Sequence, residues 1–243
     1  MACNTYGPGR LAPVDVIVDY AAGLVARSQD LKGRRVLVTA GPTVEDIDPV
    51  RFLSNRSSGK MGFAIAQAAR TRGAEVTLIS GPTDLEFPGV VRVRSTEEMR
   101  QAVVDRFSQA DVVIKAAAPL DFRPKTVASQ KIKKAKAGSS LDLEPTPDIL
   151  QELGARKDGK VLVGFAAETE DLAKNARAKL KAKNLDLIVV NPVGGPDSGF
   201  ASDTNRASII DADGAVQDIP LMSKSQMAEA ILDRVTALLG KNK

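Results

Sequence analysis

"RRVLVTAGPT", residues 34–43, reads as a short apolar strand closed by glycine and proline. "AEVTLISGPT", residues 74–83, repeats the pattern, so that Gly-Pro-Thr recurs at 41–43 and 81–83. The repeat marks two similar strand exits and is too short to mark a domain repeat. Between the two strands lie loop residues 41–56 and a helix expected from about Ser57 to Arg72. Strand, helix, strand is the opening of a sheet with helices packed on its faces.

The alternation continues along the chain. A helix is expected near 95–108, a strand at "DVVIKAAA" (111–118), a helix near 147–157, a strand at "VLVGFAA" (161–167) and a helix near 169–183. "LDLIVVN" (185–191) follows, then a strand pair around "ASIID" (207–211) and "AVQDIP" (215–220), and a last helix from about Ser223 to Leu239. The fold class is therefore α/β. The expected form is a doubly wound, mostly parallel, Rossmann-like sheet with helices on both faces and a small antiparallel extension. Ligands on such sheets collect at the carboxyl ends of the strands. The first 33 residues differ: "MACNTYGPGRLAP" is turn-rich, and a boundary is expected near Gly33.

Composition narrows the chemistry. The net charge is +4, with no Trp, two Tyr and seven Phe, which suits a local site for an anionic ligand better than a nucleic-acid surface. The chain contains no histidine and one cysteine, Cys3. Histidine triads, histidine-held zinc, an imidazole base and an intramolecular disulfide are all excluded. Neither a signal peptide nor an apolar run of membrane-spanning length is visible, so the expected location is the cytoplasm, with no membrane partner.

At the expected helix start, Ser57 and Ser58 could cap the helix while its first-turn amides face an anion, Gly59 and Gly62 allow close approach, and Lys60 adds charge. The spacing is neither the Walker pattern nor a full G-x-G-x-x-G, so a plain capped helix remains open. Asp121 sits just past the "KAAAPLDFRPK" strand, either holding a ribose or base or making a turn before Pro124. "KIKK", Lys131 to Lys134, and Lys136 place dense positive charge in a loop, which is either a solvated face or a lid over a triphosphate. "TPDIL" (146–150) reads as a helix start with Pro147 at its first position. "SDTNRA" (202–207) could position a substrate or simply turn the chain. A dinucleotide-dependent reductase is the rival reading of the first strand and turn. It lacks a Tyr-x-x-x-Lys pair, and its second strand ends at Ser80 and Gly81 without the expected ribose-holding acid.

Taken together, "VLVTAGPT", "DPVRFLSNRSSGKMGFAIA", "AAAPLDFRPK", "KIKK", "PDIL", "VGFAAET" and "NLDLIVVN…GFASDTN" resemble, in order and spacing, bacterial phosphopantothenate-cysteine ligase, the synthetase of coenzyme A biosynthesis. The resemblance covers roughly residues 34–239. It implies CTP-dependent joining of 4′-phosphopantothenate to L-cysteine through an acyl-cytidylate, with Mg²⁺ or Mn²⁺ accompanying the nucleotide and a homodimer as the assembly.

By the same resemblance, the intermediate-handling asparagine falls on Asn55 and the lysine of the K-x-K-K block on Lys131. Nucleotide contacts fall on Lys115, Ala116, Ala117, Asp121, Pro147, Asp148, Ile149, Leu150, Phe165, Lys179 and Lys183, the last two sharing one face of an expected helix. Arg56, Ser57, Ser58, Gly59 and Lys60 beside Asn55 make a candidate phosphate site. No metal ligands are identified. Two departures stand out: Pro119 breaks the family's A-V-A-D-[YF] block, and Arg56 stands where some relatives carry histidine. "ACNTYGPGR", Ala2 to Arg10, resembles the tail of the flavin-dependent phosphopantothenoylcysteine decarboxylase. Residues 1–33 are thus expected to be that tail plus a linker, and 34–243 the ligase domain, with a decarboxylase domain covalently linked in the full protein. No FMN is expected on this chain. The alternatives are an NAD(P)-dependent oxidoreductase and an inactive nucleotide-binding assembly module.

Overall fold

A computed structural model describes residues 29–133, 140–168, 172–192 and 202–241. The segment Ala2 to Arg10 with Cys3, and Lys134 and Lys136 of the lysine block, lie outside the described residues.

The strands are β1 (Arg35–Ala40), β2 (Val44–Asp46), β3 (Phe52–Ser54), β4 (Glu75–Ser80), β5 (Val91–Arg92), β6 (Val112–Lys115), β7 (Phe122–Pro124), β8 (Leu143–Pro145), β9 (Val161–Glu168), β10 (Leu187–Pro192), β11 (Thr204–Asp211) and β12 (Val216–Ser223). The helices are α1 (Lys60–Thr71), α2 (Thr96–Phe107), α3 (Ile149–Ala155), α4 (Leu172–Ala182) and α5 (Lys224–Lys241). One eight-stranded sheet runs in the order β12-β11-β10-β9-β6-β1-β4-β5. It is parallel from β10 to β5, and β11 and β12 add the antiparallel extension.

Strand alternation divides the core in two. Val36, Val38 and Ala40 of β1 face the side covered by Phe63 and Ile65 of α1 and by Met227 and Ile231 of α5. Leu37, between them, faces the side of Met99 and Val103 on α2, Ile149 and Leu153 on α3, and Leu180 on α4. Helices on both faces follow from strands that are apolar on both sides. From β1 the chain winds outward to β4 and β5, then returns to build β6, β9 and β10 on the other flank. The winding direction therefore reverses between β1 and β6, and the crevice at their carboxyl ends is where a ligand site is expected.

The loop expected at 41–56 contains a two-stranded pair, β2 with β3, and a second small pair joins β7 to β8. Strands of three residues carry too little periodicity to be read from sequence; they exist because the sheet holds their ends together.

Arg72, just past α1, is 2 % exposed. Its guanidinium pairs with Asp30 of the incoming segment and, at 3.0 and 3.2 Å, with Asp233 and Glu229 of α5. Although burial alone would favour the neutral form, Asp30 and Asp233 raise its proton affinity above the usual arginine value. Arg72→Met would leave three partly solvated carboxylates facing one another. We expect a loss of about 2–4 kcal/mol, at the lower edge of the cost of breaking a buried pair. Urea denaturation of the variant measures it.

Candidate active site

The crevice between β1 and β6 is built from the segments that leave those strands. β6 ends at Lys115, level with Gly164 of β9, so Ala116 and Phe165 come next to each other one residue on. Both are partly buried against the core on the side covered by α1 and α5. Asp148 caps α3, accepting from the Gln151 amide at 3.1 Å and pairing with Lys183 at 2.8 Å. Pro147 accordingly precedes the cap instead of opening the helix, whose first residue is Ile149, a correction of two positions. Thr146 donates through its hydroxyl to the Leu120 carbonyl (2.5 Å) and through its amide to the Asp121 carbonyl (2.9 Å), so the 146–148 turn docks on the loop after β6.

Lys115, Asp121, Asp148 and Lys183 form one electrostatic group. Burial and, next, the neighbouring Lys183 ammonium push Lys115 down to about 8, against the pull of Asp148 and Asp121. Partial burial tends to raise Asp148, but Lys183, the Gln151 amide and Lys115 hold its carboxyl below the usual range. Lys183 lies beyond the end of α4, not within it, and turns to Asp148, while Lys179 on α4 is exposed. The expected shared helical face is thus only half realised.

Asn55, exposed, reaches across the crevice. Its Nδ2 donates to the carbonyls of Ala118 (3.2 Å) and Pro119 (3.0 Å). Proline at 119 therefore does not spoil the loop. The amides around it already have partners in β1's exit: Ala118 donates to the Gly41 carbonyl and Leu120 to Thr43 Oγ1, both at 2.9 Å.

The start of α1 departs from expectation. Ser57 and Ser58 do not cap it; Gly59 occupies the cap position with φ of 76° and no side-chain cap. A side chain there would bring Cβ to 2.8 Å from the Thr83 methyl, so only glycine fits, and the two serines precede the turn. No acidic residue lies in the first turn, which leaves the positive end of the helix suited to an anion. Lys60 pairs with Asp203 at 2.6 Å, so its charge is shared with the 202–207 segment instead of standing open. Arg56 is exposed beside it.

Lys131 is exposed on a segment tied down by residues absent from the expected site. The carboxylate of Asp48, 2 % exposed, accepts from the amides of Val50, Arg51 and Ile132 and from the Arg51 guanidinium. Arg51 in turn donates to the Ile132 carbonyl at 3.0 Å. The guanidinium, more than the amides, holds Asp48 well below the usual carboxylate range. The Asp-Pro-x-Arg turn at 48–51 was the available signal for this clasp.

The reductase reading finds no support here. Gly81, where a ribose-holding acid would follow β4, packs so tightly on β1's exit that a Cβ would lie 1.6 Å from the Pro42 carbonyl oxygen. Among the described residues no three carboxylate or thiol groups gather as a metal cage, and no helix is long and apolar enough to cross a membrane.

Known proteins resemble this chain in sequence and fold. The chain is 48 % identical over 244 residues to the coenzyme A biosynthesis bifunctional protein CoaBC of Bacillus subtilis (strain 168), covering 98 % of this chain and 60 % of that protein. The Escherichia coli (strain K12) protein of the same name is 44 % identical over 241 residues, covering 96 % of this chain and 59 % of that protein. This chain thus spans about three fifths of these relatives' length. The crystal structure of the C-terminal domain of a CoaBC superposes with a TM-score of 0.76 at 43 % identity, covering 88 % of this chain and 100 % of that one. With residues 31–239 matching its pattern, this chain belongs to the family described as the DNA/pantothenate metabolism flavoprotein C-terminal domain.

Proposed function

We propose that the chain ligates 4′-phosphopantothenate to L-cysteine, driven by CTP. A substrate carboxylate oxygen attacks the α-phosphorus, the bond to the bridging oxygen breaks, and pyrophosphate leaves. The cysteine amine then attacks the acyl carbon of the acyl-cytidylate and loses a proton as CMP departs and the amide forms. Neither step needs an imidazole, and both depend on placement and charge neutralisation.

The observation that carries this reading is the meeting, at the reversal point of the sheet, of the Lys115–Asp121–Asp148–Lys183 group with Asn55. The lysines face the nucleotide's charge, with Lys131 and Lys179 contributing from outside. Asp121 and the 116–117 and 147–150 segments flank the ribose and base, and Phe165 closes the floor. The start of α1, with Arg56, Ser57, Ser58, Gly59 and Lys60, takes the phosphate of phosphopantothenate. Asn55, both amide hydrogens engaged by carbonyls, turns Oδ1 away from the loop, where it can accept from the incoming amine.

A divalent cation, Mg²⁺ or Mn²⁺, fits as a companion of the triphosphate and not as a resident of a protein cage, because the described residues offer no such cage. Held by the phosphate oxygens, it would neutralise phosphate charge. We assign the homodimer contact to the small strand pairs, where Phe52 and Phe122 are each 53 % exposed beside Val50, Val127, Leu141 and Leu143. A decarboxylase domain joined through residues 1–33, with the ligase in 34–243, and a cytoplasmic location complete the proposal.

The test is pyrophosphate release with CTP, Mg²⁺ and 4′-phosphopantothenate, with and without L-cysteine, and again with ATP. Cysteine-dependent turnover to CMP and the amide is expected. Lys131→Ala should lower pyrophosphate formation by about 10²-fold, the scale of one charge-stabilising group. No release with either nucleotide would overturn the reading.

A further inference from the structure

The recurrent Gly-Pro-Thr turn contains a residue with no role in the reaction as described so far. Thr43 is fully buried. Its hydroxyl accepts from the Leu120 amide at 2.9 Å and shares a hydrogen bond with Thr96 Oγ1 at 2.8 Å. Thr96 is fixed in turn, its amide donating to the buried carboxylate of Glu45 at 2.8 Å. The Thr43 carbonyl accepts from Ser54 Oγ at 2.9 Å, and Ser54 is the residue before Asn55.

Three alternate residues, one at the end of β1 and two in its exit, thus take the amides of the facing loop. Thr39 Oγ1 accepts from Ala117 (3.2 Å), the Gly41 carbonyl from Ala118 (2.9 Å), and Thr43 Oγ1 from Leu120. Pro119 has no amide to place. With every amide from 117 to 120 turned toward β1, the Ala118 and Pro119 carbonyls are left to hold Asn55. Thr43 therefore grips both ends of one arc: the residue before Asn55 and the loop that Asn55 binds.

We infer that Thr43 is a positioning residue for the amide-forming step, acting through Asn55. The inference rests on the ligase reading above. Removing the hydroxyl while keeping the shape, as in Thr43→Val, leaves the partly buried Leu120 amide without its partner and the Thr96 hydroxyl with only the Leu120 carbonyl at 3.5 Å, and the loop must shift to satisfy the amide. A displacement of about 1 Å at a reacting centre is enough to slow a step by about 10²-fold. Thr43 contacts none of Lys115, Asp148 and Lys183, and on the nucleotide side the loop keeps its own ties to the 146–148 turn through the Thr146 hydroxyl and amide.

The test compares Thr43→Val, Thr43→Ser and Asn55→Ala, alone and combined. Thr43→Val is expected to lower cysteine-dependent CMP release by about 10–100-fold, while CTP KM and pyrophosphate formation stay within about threefold. Thr43→Ser, which keeps the hydroxyl, should return the cysteine step to within about threefold of wild type. On the Asn55→Ala background Thr43→Val should add no further loss. Equal loss of both half-reactions, no loss at all, or full additivity with Asn55→Ala would overturn the inference.

A second measurement is independent of turnover. The Asn55 side-chain amide pair in a nitrogen-15 spectrum, assigned by its disappearance in Asn55→Ala, should move in Thr43→Val and stay in Thr43→Ser. If wild type makes no acyl-cytidylate, the ligase reading fails. An unmoved Asn55 signal in Thr43→Val refutes the coupling itself.

Discussion

Asn55→Ala is expected to form acyl-cytidylate and stop there. Pyrophosphate should appear in a burst approaching one equivalent per site, and CMP release on adding L-cysteine should fall by about 10²–10³-fold, the usual scale for a removed polar group aimed at a transition state. The reason lies in the Asn55 hydrogen bonds. Nδ2 is committed to the Ala118 and Pro119 carbonyls, so the carboxamide plane is fixed and Oδ1 is the atom left for the amine. Nothing in this arrangement touches the α-phosphate, so the first step should survive. Asn55→Asp separates geometry from chemistry. A carboxylate has nearly the same shape but cannot donate, and would confront two carbonyl oxygens. It should be at least as damaging as alanine. Rapid-quench analysis of the bound nucleotide distinguishes the outcomes, and equal loss of both half-reactions would refute this division of roles.

How much of this was legible in the sequence depends on distance along the chain. The main strands and helices declare themselves through local periodicity, and the twin Gly-Pro-Thr exits place β1 and β4 side by side, where they pair from Arg35 with Glu75 to Ala40 with Ser80. Lys115, Asp121 and Asp148 follow strands or open a helix, so the rule that ligands gather at strand ends reaches them. The clasp of Asp48 on Ile132 spans 84 residues, and the Thr43 bond to Leu120 spans 77. Neither leaves a local pattern. Arg72 reads as an ordinary basic residue ending an amphipathic helix, yet its partners lie 42 and 161 residues away and bury it. The cap of α1 misled for a different reason. Serine is the better cap by propensity, but the Thr83 methyl leaves no room for any side chain at position 59.

Lys115→Met should impair the first half-reaction as strongly as Lys131→Ala, together with a change in pH dependence that alanine scanning elsewhere would not reproduce. In the free protein burial pushes Lys115 from its ordinary 10.5 to about 8, so near pH 8 only about half the molecules carry the charge. A triphosphate stabilises the charged form, so binding above pH 8 must take up a proton. CTP affinity should then weaken by close to tenfold per pH unit above about 8, until the raised value in the complex is reached. The stability of the free protein runs the other way. The folded chain releases this proton more readily than the unfolded one, so Lys115 makes the fold more stable as pH rises from about 8 toward 10.5, and that gain is absent below about 8. Lys115→Met should abolish both slopes and lower pyrophosphate formation by about 10²-fold, whereas Lys115→Arg, charged throughout, should flatten the slopes while keeping more activity. Calorimetric titration of CTP from pH 7 to 9.5, in buffers of different ionisation enthalpy, measures affinity and proton uptake together. Flat affinity without proton uptake would mean that this ammonium faces something other than phosphate, and would remove the strongest electrostatic reason for placing the nucleotide between β6 and α3.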